Sequence, residues 1–247
     1  MTSLDNVKSD EFLNSVLPLF YGPTVEIQIT SSGRPFRVSK DLLAQHSSYF
    51  ASMFNGKFLE RQTQVAVLEK IEGVVSEASL AALLQWIYTK RINLTVTDFN
   101  PISESASFIS AALEFARFAD MCGVTGMESE MAHAVERSIK NYRVDHAIGV
   151  RDKKPITYEH MTSSEHLPPG HPMRRALAKV FVAGFICSES STAAHRMKFF
   201  PNLAADVLQE MVEALHVRHH KYHDINRPRK RFKISFIDPS TEKEIVL

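Results

Sequence analysis

Apolar and polar positions alternate at strand spacing early in the chain and recur at helical spacing after that. Within the first twenty residues Phe12, Val16, Leu17, Leu19 and Phe20 share roughly one helical face, disturbed by Pro18, and predict a short amphipathic arm. Val25, Ile27 and Ile29 then alternate with Glu26 and Gln28. Beyond a Ser31-Ser32-Gly33 turn, Phe36 and Val38 alternate again, so a β-hairpin with one buried face is predicted. Leu42, Leu43, His46, Tyr49, Phe50, Met53 and Phe54 fall on one helical face and predict a single strong helix closed by Asn55-Gly56. Val65 and Val67 predict a third strand. Ser76, backed by Ser79, is placed to cap a helix whose inward residues are Leu80, Leu83, Leu84 and Ile87.

Further on, Arg91 to Val96 reads as extended and Asp98 to Ser105 as a polar loop. Phe108, Ala112, Phe115 and Ala119 form one stripe, widened by Ile109, Ala116 and Phe118 and broken at Cys122-Gly123. Met127, Met131, Ala134, Val135 and Ile139 predict a short helix after it. From Arg143 to His171 apolar periodicity is absent, and Pro155, Pro168, Pro169 and Gly170 punctuate the chain, which predicts a linker or long loop. Met173, Leu177, Val180, Phe181 and Phe185 mark one further helix. Leu203, Val207, Leu208, Met211, Val212 and Leu215 mark another, entered through Pro201-Asn202. Phe232, Ile234 and Phe236 alternate with Lys233 and Ser235, and Asp238-Pro239-Ser240 turns toward Ile245 to Leu247, so a C-terminal strand or hairpin is expected.

Composition narrows the class. Hydrophobic residues at 44% and charged residues at 23% exclude wholesale disorder. Cys122 and Cys187 are the two cysteines, too few for a disulfide framework, and no CxxC pair offers a zinc site. Reduced, buried thiols in an intracellular compartment are the expectation. The N-terminal residues carry no basic segment followed by an apolar core, and no apolar run approaches the roughly 18 residues of a membrane span. A soluble protein of the cytoplasm, the nucleus or both, with no membrane contact, is predicted.

The net charge of +1 hides an asymmetry. Residues 1–142 carry 12 Lys/Arg against 16 Asp/Glu, and the remainder carries 17 against 12. The basic excess lies mainly between Arg218 and Lys233, and nine of the 11 histidines lie in the second half. The shift predicts two units with different jobs.

Signatures of catalysis are absent. There is no phosphate loop, dinucleotide fingerprint, nucleophile elbow or HExxH helix, so no enzyme, catalytic residue or cofactor is expected. His216, His219, His220 and His223 have a spacing that suits either a metal site or a solvated helix end. The interleaved Arg218 and Lys221 weigh against a metal, and none is expected. Arg227, Arg229, Lys230, Arg231 and Lys233 place five cations in seven residues. That run reads as a nuclear import signal or a nucleic-acid contact, or else as a solvated edge strand.

The stretches PFRVSKDLLAQHSSYFASMFNGKFLE, VAVLEKI, LLQWIYTKRINL and LEFARFADMCGVTGMESEM, in this order, resemble a BTB/POZ domain. The Trp86-Ile87-Tyr88-Thr89 run, the insertion from Thr97 to Ser107 and the HLPPGHPMRRALAKVF segment are similar to fungal BTB proteins. The resemblance implies an α+β fold, a small sheet capped by helices. The expected organisation is an arm at 1–21, the BTB/POZ domain at 22–142 and a Pro-rich linker at 143–172. A helical extension at 173–217, either BACK-like or a private helical pair, and a basic tail at 218–247 with a strand complete it. The family usually has an Asp before the first strand and a His at the start of the first long helix, where this chain has Thr24 and Ser39. That departure weakens the case for a corepressor-binding groove and leaves dimerisation open.

What the resemblance implies for function is a non-enzymatic interaction protein that forms a homodimer. Phe12, Phe20, Tyr49 and Met53 are the dimer-interface candidates. BTB adaptors that bind the cullin scaffold of ubiquitin ligases carry a hydrophobic-x-Glu triplet after the first long helix, a place filled here by Phe58, Leu59 and Glu60. The alternative is a loop whose Phe packs on its own domain. An unidentified protein target is expected at the C-terminal half, and a nuclear scaffold or chromatin role through the basic tail is the competing expectation.

Overall fold

The computed structural model describes residues 16–30, 34–94, 101–145, 156–187, 197–216 and 235–246. The chain divides into two compact units, one from 1–96 with 110–128, the other from 97–109 with 129–247.

In the first unit, β1 (Thr24–Ile29) is the central strand of a sheet ordered β2-β1-β3. β2 (Pro35–Ser39) runs antiparallel to it, with Val25 opposite Val38 and Ile27 opposite Phe36. β3 (Val65–Leu68) runs parallel to it, with Ile27 opposite Ala66 and Ile29 opposite Leu68. A parallel pair needs a crossover, and the helices between β2 and β3 supply it. The predicted alternation holds: Val25, Ile27 and Ile29 are buried, and Glu26 pairs with Arg37 across the outer face at 2.8 Å.

α1 (Leu17–Tyr21) forms part of the predicted arm, with Pro18 tolerated in its first turn, where its missing N–H breaks no helical bond. The single helix expected from Leu42 to Phe54 is two: α2 (Lys40–His46) and α3 (Ser48–Asn55). The break falls at Ser47, whose backbone is extended. Its hydroxyl accepts from Phe50 N and donates to the Cys122 carbonyl at 2.6 Å. A serine that caps the second helix and ties down a distant backbone outweighs uninterrupted periodicity.

α4 (Glu60–Thr63) is a single turn ahead of β3. α5 (Glu77–Thr89) starts on the predicted Ser76–Ser79 capping box and buries Leu80, Leu83, Leu84 and Ile87. Around the sheet, Leu43, Phe50, Phe54, Leu80, Leu83, Phe115 and Phe118 form a close-packed interior.

α6 (Pro101–Met121) replaces the 101–105 part of the loop expected at Asp98 to Ser105; the first three residues of that loop lie outside the described residues. The helix begins at Pro101, a residue suited to a first turn, and ends before Gly123 at φ 64°. Residues 91–94 form no strand; the rest of that expected segment lies outside the described residues. α7 (Glu128–Asp145) is longer than its apolar stripe suggested.

In the second unit, α8 (Tyr158–Glu165) occupies part of the stretch expected to be irregular. Its apolar periodicity is weak, but Thr157 and His160 form a reciprocal capping box, the imidazole accepting from Thr157 N. α9 (Pro172–Cys187) and α10 (Pro201–His216) match the two predicted helices and pack together. Between them runs an ion pair with no local sequence signal. Arg174, 2% exposed, donates from Nε to Asp206, from Nη2 to Asp206 Oδ1 at 3.4 Å and from Nη1 to the Leu167 carbonyl at 2.8 Å. Arg175 reaches Glu210 and Glu213 one turn away.

The expected C-terminal hairpin is present as β4 (Ser235–Ile237) and β5 (Glu244–Val246), antiparallel, with Phe236 opposite Ile245. Its turn is held by Asp238, which accepts from Ser240 N, Ser240 Oγ and Thr241 Oγ1. Phe236 is fully buried with Val182 of α9 and Ala214 of α10. No described helix is long and apolar enough to cross a membrane.

Candidate interaction surface

The segment joining α3 to α4, with the first residue of α4, carries the three residues singled out from the sequence. α3 ends with Gly56 donating to the Ser52 carbonyl at 2.9 Å, and a Cβ at Gly56 would collide with that same oxygen. Glycine is therefore required for the chain to turn out so close to the helix end. Lys57, Phe58 and Leu59 follow, and α4 is fixed by Gln62 N to the Leu59 carbonyl at 2.8 Å and Gln64 N to the Glu60 carbonyl at 2.8 Å. Gln64 adopts the left-handed conformation, φ 55°, and turns the chain into β3.

This backbone presents its apolar side chains outward. Phe58 is 60% exposed and Leu59 69% exposed. A phenylalanine packed on its own domain would be largely covered, so that alternative does not describe Phe58. Glu60 is half-exposed and has no ion-pair partner among the described residues. Its charge reaches Tyr49 on α3: burial pushes the Tyr49 phenol up first, then Cys122, then Glu60.

Of the dimer candidates, Tyr49 and Met53 are half-buried on α3, with the Tyr49 ring edge-on to Phe50 at 5.2 Å. Phe20 stands edge-on to Tyr88 at 5.8 Å and keeps part of its ring in solvent. Phe12 lies outside the described residues, as do Arg227, Arg229, Lys230, Arg231 and Lys233. Sequence reasoning missed the exposed Tyr21, Val67 and Ile71 of this unit. The outward phase of β3 could have revealed Val67.

Ser39, where the family usually has histidine, has its own work. Its hydroxyl accepts from Leu42 N as the cap of α2 and donates to the Leu19 carbonyl, while its N–H donates to Tyr88 Oη at 2.7 Å. One small residue thereby joins α1, β2, α2 and α5.

Cys122 is buried and its thiol is pushed up to about 12 by burial, which makes it a packing residue rather than a nucleophile. The side chain of Cys187 and those of the histidine run at 216–223 lie outside the described residues. Among the described residues no cluster of three or more His, Cys, Asp or Glu could hold a metal ion. In the second unit, Leu208 and Val212 are exposed one turn apart on α10, and Tyr158 and Phe199 are exposed as well.

Residues 21–123 match the family model of the BTB/POZ domain. That span takes in the three-stranded sheet, α2 to α6 and the Phe58–Glu60 segment. With a small sheet capped by helices and a further helical region after it, the chain is an α+β protein that carries a BTB/POZ domain, a protein–protein interaction module.

Proposed function

We propose that this protein is a self-associating adaptor that docks a cullin scaffold through Phe58, Leu59 and Glu60 and takes its target on the second unit. The observation that carries the reading is the exposure of Phe58 and Leu59 on a backbone pinned at both ends. Exposed aromatics on a rigid turn give much contact area at low entropic cost. Glu60, with no partner of its own among the described residues, is available to accept hydrogen bonds at the rim. Phe20, Tyr49 and Met53 supply apolar area for a second copy.

Size-exclusion chromatography with light scattering tests both halves. The full chain is expected at twice its 27.9 kDa mass and to shift to a stoichiometric complex with a cullin N-terminal domain. A dimer that ignores the cullin domain removes the adaptor role.

The run from Arg227 to Lys233 favours a second reading, a nuclear scaffold that contacts polyanions. It requires salt-sensitive nucleic-acid binding or nuclear accumulation. Neutralising Arg229, Lys230 and Arg231 without effect on either eliminates it.

A further inference from the structure

A lysine that the interaction surface does not use sits at the end of α5. Lys90 closes that helix in the left-handed conformation, φ 55°, with its N–H donating to the Trp86 carbonyl at 2.9 Å. Its Nζ lies 5.5 Å from the centroid of the Trp86 ring and 3.2 Å from both ring nitrogens of His46, the last residue of α2. The in-plane axes of the two imidazole nitrogens diverge, so a point equally far from both lies on neither. The imidazole therefore packs against the amine without solvating it as a directed hydrogen bond would.

The indole face gives the ammonium a cation–π contact but no hydrogen-bond acceptor. Arg91 follows in the chain and is itself basic, and no carboxylate among the described residues pairs with Nζ. Burial lowers Lys90 to about 8, and burial with the Lys90 charge lowers His46 to about 4. Lys90 is only half-buried, so small reagents reach it.

We propose that Lys90 is an acyl-acceptor site: its amine, held against the Trp86 ring and the His46 imidazole with no counter-ion among the described residues, takes acyl groups from activated thioesters. The neutral Nζ attacks the thioester carbonyl carbon. An N–C bond forms, the C–S bond breaks with its electron pair leaving on the thiolate, and the proton lost from nitrogen passes to solvent or to that thiolate. The product amide removes the positive charge beside the indole.

The test incubates the full chain with trace acetyl-coenzyme A, without added enzyme, across a pH series and reads occupancy at every lysine by mass spectrometry. A desolvated lysine is an activated nucleophile, and Lys90 is expected to acetylate about ten-fold faster than the median lysine at neutral pH. Its profile is expected to level off near 8, below the range of ordinary lysines. His46→Asp places a carboxylate beside Nζ and should slow Lys90 several-fold while leaving the other lysines alone. His46→Asn should keep Lys90 ahead of the median. Circular dichroism checks that each variant is folded, and where a variant is not, the wild-type ranking and profile decide. Lys90 at or below the median at every pH overturns the proposal, as does an unchanged Lys90 rate in a folded His46→Asp protein.

Discussion

Replacing Phe58 with alanine separates the two roles this residue can have. A phenylalanine side chain offers about 200 Å² to burial. With Phe58 60% exposed, about 120 Å² remains for a partner to cover, worth about 3 kcal/mol at the usual area coefficient. That is an upper value, because association also orders the loop and desolvates its rim. The expected loss is therefore between about ten-fold and a hundred-fold in Kd for the cullin domain, measured by titration calorimetry. The same area argument leaves about 80 Å² covered in the free chain, so stability should fall by no more than about 2 kcal/mol in urea. An unchanged Kd refutes the docking role. A large loss of stability would refute the premise, because it would mean that the ring packs on its own domain.

Three further predictions concern groups with well-defined surroundings. Asp206→Ala leaves the buried Arg174 guanidinium uncompensated and should destabilise the second unit by about 3–5 kcal/mol in urea unfolding, whereas the Arg174→Met/Asp206→Leu double variant should be near neutral. His46 is held neutral in the folded chain, so its contribution is intact above its ordinary value of 6.5 and is lost as pH falls toward about 4. Chemical unfolding of the first unit should show that decline between these values, and His46→Gln should flatten it. Cys122, buried and pushed up to about 12, should resist iodoacetamide in the native protein at mildly alkaline pH and react on unfolding, as read by mass spectrometry of its peptide.

Local periodicity made the first unit largely legible. Val25, Ile27 and Ile29 alternate because one face of β1 is buried, and Leu80, Leu83 and Ile87 recur because α5 has one inward side. The signal failed where a polar residue decided the backbone. Ser47 breaks a perfectly periodic helix through bonds to Phe50 N and to Cys122, and the latter lies 75 residues away. α8 was illegible for the opposite reason: it has little apolar pattern, and its capping box uses His160 where a glutamate is the familiar mark. Pairings such as Arg174 with Asp206 and His46 with Lys90 join residues 32 and 44 apart, and no window of the sequence carries that information. At the candidate surface, the triplet was visible as a motif, but that Phe58 faces solvent follows only from the turn Gly56 allows.

The hairpin at the C-terminal end bears on how the second unit is made. Val182 and Ala214 leave the ribosome well before Phe236, the ring that covers them. During synthesis α9 and α10 can pair, yet the apolar patch they build stays open until β4 and β5 have been translated and folded back. A chain stalled in that interval exposes a sticky half-finished core, which is a surface for chaperones and a route to aggregation. β4 and β5 thus complete this core only after α9 and α10 have been made, and a chain truncated before Ser235 should be cleared by quality control rather than accumulate.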